Sequence, residues 1–312
     1  MRKNVKQQLA LRVLSTAALM AMVSSIATAA FADTYDLNTG SVTVETKADG
    51  YTYVTQKDDN QADGFARNEK NDILHDYQDK TGVTITSGGE KTSNTITVET
   101  AKDQTTDVTL DNVNIEVNTS EAKTGAIEIK GDGDTNLELN GDNTVLVENE
   151  WSEEHAAIEK ADKYGTGTLT IKDDVNDNGT EKSGTEADTT GKLLAGGYHN
   201  SAAIGGGSDT YNREYSLADT SNITITGGEI TAIAGCDGAA AIGGGCSGTG
   251  KNIRIEGNAH VTAASADGAA VGGGFGSGNS VTITDDAVVD ARSAFAAAIG
   301  NGDQVGRSND PN

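Results

Sequence analysis

The sequence contains little of several residue types. It has one proline, one tryptophan, two cysteines and 4% aromatic residues over 312 positions, and 23 lysines and arginines against 47 aspartates and glutamates. The shortage of positive charge argues against nucleic acid and anionic membrane surfaces as direct partners. Two cysteines allow at most one disulfide bond within the chain. What is abundant is glycine, with 39 residues, together with threonine, asparagine and aspartate.

The segment 1–32 is expected to be an export signal. A basic start precedes an apolar run over 13–26, and Ala30-Phe31-Ala32 matches a cleavage pattern. The run is too short for a membrane span, so we expect a protein that is secreted or held at the cell surface, without membrane insertion. Loss of the four basic and no acidic residues changes the formal net charge from −24 to −28. Most of these carboxylates are interpreted as solvated surface charges of an exported protein.

Two short phrases recur along the chain. One pairs strand-like segments with alternating apolar residues: Val108-Thr-Leu110, Leu137-Glu-Leu139, Leu169-Thr-Ile171, Ile223-Thr-Ile225, Ile253-Arg-Ile255 and Val281-Thr-Ile283. The other is AAIGGG or a close variant, starting at Ala202, Ala240, Ala269 and Ala297. Without insertions the period is roughly 28–32 residues, which lies within the range of solenoid repeats. Three short strands and their turns would fill one period.

This repeat predicts an all-β parallel β-helix, in which each coil pairs with the coils above and below it. A β-sandwich is the alternative, but it gives no reason for strands to be copies of one another. In the β-helix, Ile204, Ile242, Val271 and Ile299 should stack as one inward ladder. The glycines beside them should form a sharp corner with close approach between coils.

The prediction divides the mature chain into three parts. Residues 33–106 are expected to be an N-terminal cap and the first coils, with a short helix around Glu69–Tyr77. Residues 107–302 are the repeats, and residues 303–312 are a tail that ends without a cap, as in a truncated reading of a longer protein.

Several phrases carry a resemblance to a known family. DLNTGSVTV, SNTITVET, VTLDNVNIEV, LELNGDNTV and NITITGGEITA, with the repeated AAIGGG, resemble bacterial cell-surface carbohydrate-binding proteins of the right-handed parallel β-helix type. That family is similar in fold to pectate lyases. The resemblance spans about residues 36–302 and implies a right-handed coil, binding of cell-wall or pectic polysaccharide, and calcium.

Catalytic residues are not apparent, so the chain is predicted not to be an enzyme. A lyase of this fold needs a carboxylate cluster for calcium and a basic residue that removes a proton. Arg254 should point outward from a wall, where it could pair with Glu256 or bind a uronate, and a solvated surface position is the favoured interpretation. The four histidines are dispersed and show no metal-ligand spacing.

Two acidic loops are candidate calcium sites. Asp174, Asn176 and Asn178 alternate before Gly179 as in an oxygen-ligand loop, with Glu181 in place of the missing final ligand. Asp132 and Asp134 alternate similarly in GDGDTN. Such turns also form without metal, since aspartate bonds its own backbone. The first loop is preferred because insertions in solenoids gather on the working face.

Aromatic residues between strands are candidates for sugar stacking: Trp151, Tyr164, Tyr198, Tyr211 and Tyr215. Packing beneath insertions is an equal alternative. Cys236 and Cys246 flank one copy of the corner phrase, so either a disulfide or two separate thiols fits.

The leading hypothesis is therefore an exported, non-catalytic polysaccharide-binding protein, with Ca²⁺ as an optional cofactor. The alternatives are a structural stalk or adhesin segment of a larger surface protein and, less favoured, a polysaccharide lyase. The oligomeric state stays open.

Overall fold

The computed structural model describes residues 33–57, 72–75, 82–148, 154–174, 191–208, 217–276 and 278–302. Within these residues the regular secondary structure is almost entirely β-strand, arranged in three sheets. The helical elements there are α1 (Thr119–Ala122) and one 3-10 turn at Asp162–Tyr164. The all-β prediction is therefore confirmed.

The strands of each sheet come from successive turns of the chain. The first sheet contains β1 (Asp33–Asp36), β5 (Val83–Thr86), β7 (Thr105–Asp111), β10 (Asp134–Asn140), β13 (Leu169–Lys172), β16 (Thr220–Ile225), β19 (Gly250–Ile255) and β22 (Gly278–Ile283). The second contains β8 (Asn114–Asn118), β11 (Asp142–Glu148), β14 (Lys192–Gly196), β17 (Glu229–Ile233), β20 (His260–Ser265) and β23 (Val288–Ser293). The third contains β4 (Asp72–His75), β3 (Thr52–Lys57), β2 (Val42–Thr46), β6 (Ile96–Thr100), β9 (Ile127–Lys130), β12 (Ile158–Glu159), β15 (Ile204–Gly205), β18 (Ile242–Gly243), β21 (Val271–Gly272) and β24 (Ile299–Gly300).

From β7 onward the chain visits the first, second and third sheets in strict rotation, six times within the described residues. Within each sheet, strands from successive rotations are neighbours and pair in parallel. Parallel pairing between copies, rather than antiparallel pairing within them, is what the repeat predicted and what a solenoid requires.

The inward ladder predicted from the corner phrase is present. Ile204 pairs with Ile242, Ile242 with Val271, and Val271 with Ile299. The first three side chains are fully buried, whereas Ile299, in the last described coil, is 42% exposed. In the first sheet Ile223 pairs with Ile253, and Ile253 with Val281. Equivalent positions of successive copies therefore stack, so the period is also as predicted.

Two local expectations are corrected. Asp72–His75 is a strand that pairs antiparallel with β3, not part of a helix, because the edge of β3 offers it unpaired backbone groups. Leu169 pairs with Thr135 rather than Leu137, so this copy is shifted by two positions relative to the phrases. The alternation of side chains survives, since a shift of two keeps every residue on its face.

The threonine opposite Leu169 belongs to a buried group of hydroxyls. Thr100 Oγ1 lies 2.7 Å from Thr106 Oγ1 and 3.0 Å from Thr135 Oγ1, and Thr106 donates to Thr46 Oγ1 at 2.7 Å. All four side chains are at most 3% exposed. A hydroxyl can both donate and accept, so the group satisfies itself within the otherwise apolar interior.

Steric crowding explains why the repeated AAIGGG phrase, which forms a corner of each coil, contains glycine. Gly205, Gly243 and Gly272 stack in register with φ of +135°, +137° and +136°. A Cβ on any of them would lie 1.9–2.0 Å from the carbonyl oxygen of the glycine in the next coil. That same oxygen accepts the coil-to-coil hydrogen bond from the following residue, for example from Gly244 N to Gly272 O at 2.9 Å. The phrase recurs because the corner has no room for a side chain.

Candidate functional site

Some of the predicted site residues lie outside the described residues: Asn176, Asn178 and Glu181 of the first calcium loop, and Trp151, Tyr211 and Tyr215 among the aromatics. The remaining predicted residues are Asp132, Asp134, Asp174, Tyr164, Tyr198, Cys236 and Cys246. They are spread over several corners and do not form one site.

Asp132 and Asp134 tie one coil to the next. Asp132 Oδ1 accepts hydrogen bonds from the backbone N and the hydroxyl of Thr166, at 3.0 and 3.3 Å, and Asp134 Oδ1 accepts from Thr168 N at 2.9 Å. Aspartate is used here as a turn residue that satisfies backbone donors. Both side chains are exposed, and a calcium ion at this turn stays a prediction.

Asp174 is engaged by a lysine. Its Oδ1 lies 3.0 Å from Lys172 Nζ, and the same ammonium is 3.7 Å from Glu138 Oε2. The preceding residue, Asp173, is buried and accepts from Gly191 N at 3.0 Å, which closes the base of the insertion. Any cation bound by Asp174 would compete with Lys172 for this carboxylate.

A buried lysine lies near Asp132. Lys160 is 2% exposed, and its Nζ donates to Gly165 O at 3.3 Å. Burial lowers the pKa of Lys160 below its ordinary value, while the charges of Asp162 and Asp132 act in the opposite direction. An ammonium in this environment weakens the attraction of Asp132 for a further cation.

Replacement of this lysine should stabilise the protein at neutral pH. Because the folded pKa of Lys160 is lowered, the unfolded chain binds more protons between that pKa and about 10.4. The free energy of unfolding should therefore rise with pH through this window. Lys160→Met removes the desolvation cost and should add about 1–3 kcal/mol at pH 7, an advantage that shrinks as the pH approaches 10. Urea unfolding across pH 7–10 measures both, with the exposed Lys163→Met as control; equal slopes for wild type and Lys160→Met would contradict the expectation.

The two described candidate aromatics differ in accessibility. Lys130 Nζ lies 4.9 Å from the centroid of the Tyr164 ring, so one face of that ring is covered. Tyr198 is 41% exposed and contacts His199 edge-on, with ring centroids 4.3 Å apart. Of these two, Tyr198 presents the surface that a sugar ring would need.

Tyr198 follows the second sheet, whose outward surface carries exposed apolar side chains. Leu194 is 37% and Ile233 48% exposed, and Leu146 lies over Gly196, where a Cβ would come within 2.8 Å of it. The residues in register with Leu194 on the neighbouring strands of this sheet are threonines: Thr144, Thr231 and Thr262. We call this surface, Leu146, Leu194, Tyr198, Thr231 and Ile233, the second-sheet face.

A polar cleft lies on the third sheet at its N-terminal end. Its lining is mostly hydroxyl groups with one carboxylate: Ser41, Thr43, Thr55, Ser93, Thr95, Thr97, Thr124 and Glu128. Thr124 donates to Glu128 Oε2 at 3.0 Å, and Lys130 Nζ is 2.8 Å from the same oxygen. The cleft offers hydrogen bonds without an aromatic platform.

Cys236 and Cys246 are both free thiols, so the disulfide that the sequence allowed is not formed. Cys236 is exposed at a corner, whereas Cys246 is buried, with Ser247 Oγ 3.9 Å from its sulfur. Burial raises the pKa of Cys246 to about 11. The two thiols thus point into different environments, and Cys246 is protonated at neutral pH.

The sulfur of Cys236 instead faces a histidine and an aspartate. It lies 3.6 Å from His199 Nδ1 and donates to Asp237 Oδ2 at 3.2 Å, and Asp237 Oδ2 is 3.6 Å from His199 Nδ1. We call these three residues the corner trio. Across the described ranges, it is the one place where three histidine, cysteine or acidic ligand atoms converge.

Sequence reasoning missed the corner trio because His199 was judged from its distance along the chain to other histidines. The signal was available in the repeat. Ile204 pairs with Ile242, and the same offset places His199 beside Asp237. Comparison of the residues that precede each corner phrase would have brought the two together.

Glu154 lies next to the corner trio and is 1% exposed. Burial raises its pKa above the ordinary value, while the charge of His199 lowers it and that of Asp237 raises it. Asn200, which also lowers this pKa, makes no hydrogen bond of normal geometry to the carboxylate. Neither carboxylate oxygen has a hydrogen-bond partner among the described residues. A buried acid without a partner is costly unless a ligand or proton compensates it.

The basic residue that seemed best placed for catalysis is paired. Arg254 Nη2 lies 2.6 Å from Glu256 Oε2 on the outer surface of the first sheet, as the solvated reading predicted.

No helix among the described residues has the length and apolar character to cross a bilayer. No protein-family model, curated protein or solved structure matches the chain.

Proposed function

We propose that the chain is an exported, non-catalytic protein with a right-handed parallel β-helix fold, which binds extended polysaccharide along the second-sheet face. The rotation of strands through three parallel sheets supports the fold. The observation that carries the binding proposal is the exposed Tyr198 just after β14, the strand that carries the exposed Leu194 and pairs with the strand of Ile233, with threonine hydroxyls in the row of Leu194. Flat apolar area for ring faces, together with hydroxyls for hydrogen bonds, is the composition of a sugar-binding surface.

The charge of the protein bears on the choice of glycan. With a formal net charge of −24, or −28 after loss of segment 1–32, the chain repels polyanions such as pectic acid unless a cation bridges the carboxylates. A neutral cell-wall glycan meets no such barrier. Pectic binding would require calcium, and Asp174 with the insertion that follows it is where we propose that such an ion binds.

Replacement of Tyr198 should abolish retention by polysaccharide. In affinity electrophoresis through gels containing a soluble neutral β-glucan or polygalacturonate, we expect retardation of the wild type and its loss in Tyr198→Ala, a weakening of at least about tenfold. Tyr51→Ala is the matched control, since Tyr51 is 37% exposed but belongs to the N-terminal end. With polygalacturonate, retardation should also require calcium.

Three results would contradict the proposal. If the wild type is retarded by no glycan, the second-sheet face does not bind polysaccharide. If Tyr198→Ala is retarded as strongly as wild type while Thr97→Ala is not, the polar cleft of the third sheet is the binding site instead. Unsaturated products released from polygalacturonate would show a lyase.

A structural segment is the second candidate function. In the last described coil, side chains on the inner face of the sheets are uncovered, with Ile283 39% and Ile299 42% exposed, and Phe295 at the corner is 67% exposed. Apolar area of this kind favours stacking of a further coil or chain. Sedimentation velocity should then show concentration-dependent association that Ile299→Glu abolishes, and a protein that is monomeric at all concentrations would argue against it.

A further inference from the structure

We propose that the corner trio, His199, Cys236 and Asp237, is a binding site for one divalent cation of the zinc type. The proposal does not rest on glycan binding, although Tyr198 contacts His199, and the site is distinct from the acidic loops considered for calcium. It brings one nitrogen, one sulfur and one oxygen ligand together from two successive coils.

The separations between the ligand atoms fit a tetrahedral ion. With Zn–S near 2.3 Å and Zn–N and Zn–O near 2.0–2.2 Å, ligand atoms at tetrahedral angles lie about 3.4–3.6 Å apart. The observed separations are 3.6 Å for sulfur to nitrogen, 3.6 Å for nitrogen to oxygen and 3.2 Å for sulfur to oxygen. Only the separation between sulfur and oxygen is shorter than expected, by less than half an ångström. These two atoms share a hydrogen bond that metal binding would replace.

The ligand types select among cations. Calcium and magnesium take oxygen ligands almost exclusively, so a thiolate and an imidazole disfavour them. A mixed nitrogen, sulfur and oxygen set suits zinc and cobalt. Three protein ligands also leave a fourth position for water or a further ligand, the arrangement of an open rather than a closed zinc site.

The backbone holds the three ligands before any ion arrives. His199 and Asp237 both have positive φ, +46° and +79°, so each projects from a tight corner. Gly235 packs directly on the His199 backbone, where a Cβ would lie 2.1 Å from His199 O. Tyr198 N and Tyr198 O both bond to Ser201 Oγ, at 2.9 and 2.7 Å, which fixes the corner that carries His199.

Glu154 is the second, independent observation. Its carboxylate is buried, has no hydrogen-bond partner among the described residues, and lies close enough for the charges of His199 and Asp237 to act on it. Reciprocal backbone hydrogen bonds with Ser208 fix its position. Burial disfavours the charged form of this carboxylate, and a cation at the corner trio would stabilise that form.

Access to the site is open. Cys236 and Asp237 are exposed and His199 is half-buried, so an ion can enter without movement of the coils. The thiol must lose its proton on binding, and affinity should therefore fall as the pH is lowered.

Equilibrium dialysis of the reduced full chain against Zn²⁺ tests the proposal. We expect one zinc ion per chain, with affinity at least about tenfold weaker in Cys236→Ser and in Asp237→Asn. Co²⁺ as a substitute should give a thiolate-to-metal charge-transfer band and intense visible bands of four-coordinate geometry, both lost in Cys236→Ser. Thermal unfolding followed by circular dichroism confirms that each variant is folded.

Cys246→Ser and His260→Gln are the matched controls, because each removes a thiol or an imidazole outside the corner trio. Both should bind zinc as the wild type does. The proposal is wrong if the wild type binds no zinc, if Cys236→Ser and Asp237→Asn bind it with unchanged affinity, or if the cobalt complex shows no thiolate band.

Discussion

Gly243→Ala should destabilise the protein by about 3–6 kcal/mol, because overpacking, backbone strain and a damaged hydrogen bond act together. The added Cβ would lie 1.9 Å from Gly272 O, which already accepts a hydrogen bond from Gly244 N. The neighbouring coil must shift, and the hydrogen bond is lost or stretched. The positive φ of +137° adds a conformational cost of its own. Urea unfolding at neutral pH measures the loss, and the coils beyond β18 should unfold first.

Gly300→Ala is the control for this steric argument. Gly300 occupies the same position in the last described coil, with φ of +120°, but an added Cβ would have no atom within 4 Å. Its substitution therefore costs only the strain of the backbone, about 1–3 kcal/mol. If Gly243→Ala and Gly300→Ala lose the same stability, close approach between coils is not what requires glycine at the corner.

The corner also shows what a single sequence can predict of this fold. The inward ladder through Ile242 follows from the repeat, because stacked coils place identical residues above one another. The two-position shift at Leu169 does not follow, because a shift of two preserves the side-chain alternation that the sequence displays. It is Thr135, placed by that shift, that completes the buried hydroxyl group.

The candidate sites were predicted less well than the scaffold. Tyr198 was identified as an inter-strand aromatic in a chain that has few aromatics, and it is exposed; its role in sugar binding stays a prediction. Asp132 and Asp134 match a metal-loop pattern, but their Oδ1 atoms hold the backbone of the next coil. The sequence pattern is the same for both uses, so spacing alone could not distinguish them.

The corner trio escaped prediction for a different reason. Metal motifs are sought as fixed short spacings, whereas His199 and Asp237 meet across two coils with an insertion-dependent separation. Glu154 joins them from a third coil. In a solenoid, the residues that form one site lie on neighbouring coils. Such a site is found by aligning the sequence of one repeat with that of the next.

The inward ladder allows a second test of how stability is distributed. Ile242→Ala should cost about 3–5 kcal/mol, because Ile242 is fully buried between Ile204 and Val271 and the coils on either side cannot collapse into the cavity. Ile299→Ala removes the same atoms from the same ladder. Since Ile299 is 42% exposed, its loss should be below about 1.5 kcal/mol.

The comparison isolates the contribution of the covering coil, which is the one difference between the two positions. Ile242→Val, which deletes a single methylene, should cost about 0.5–1.5 kcal/mol. Urea unfolding measured by circular dichroism gives all three values on one scale. Equal losses for Ile242→Ala and Ile299→Ala would mean that a partner covers the exposed end in solution, and sedimentation velocity on the same samples would then detect the association. A large loss confined to Ile242 would show that each coil derives its stability from the coils on both sides, as the nearest-neighbour energetics of a solenoid require.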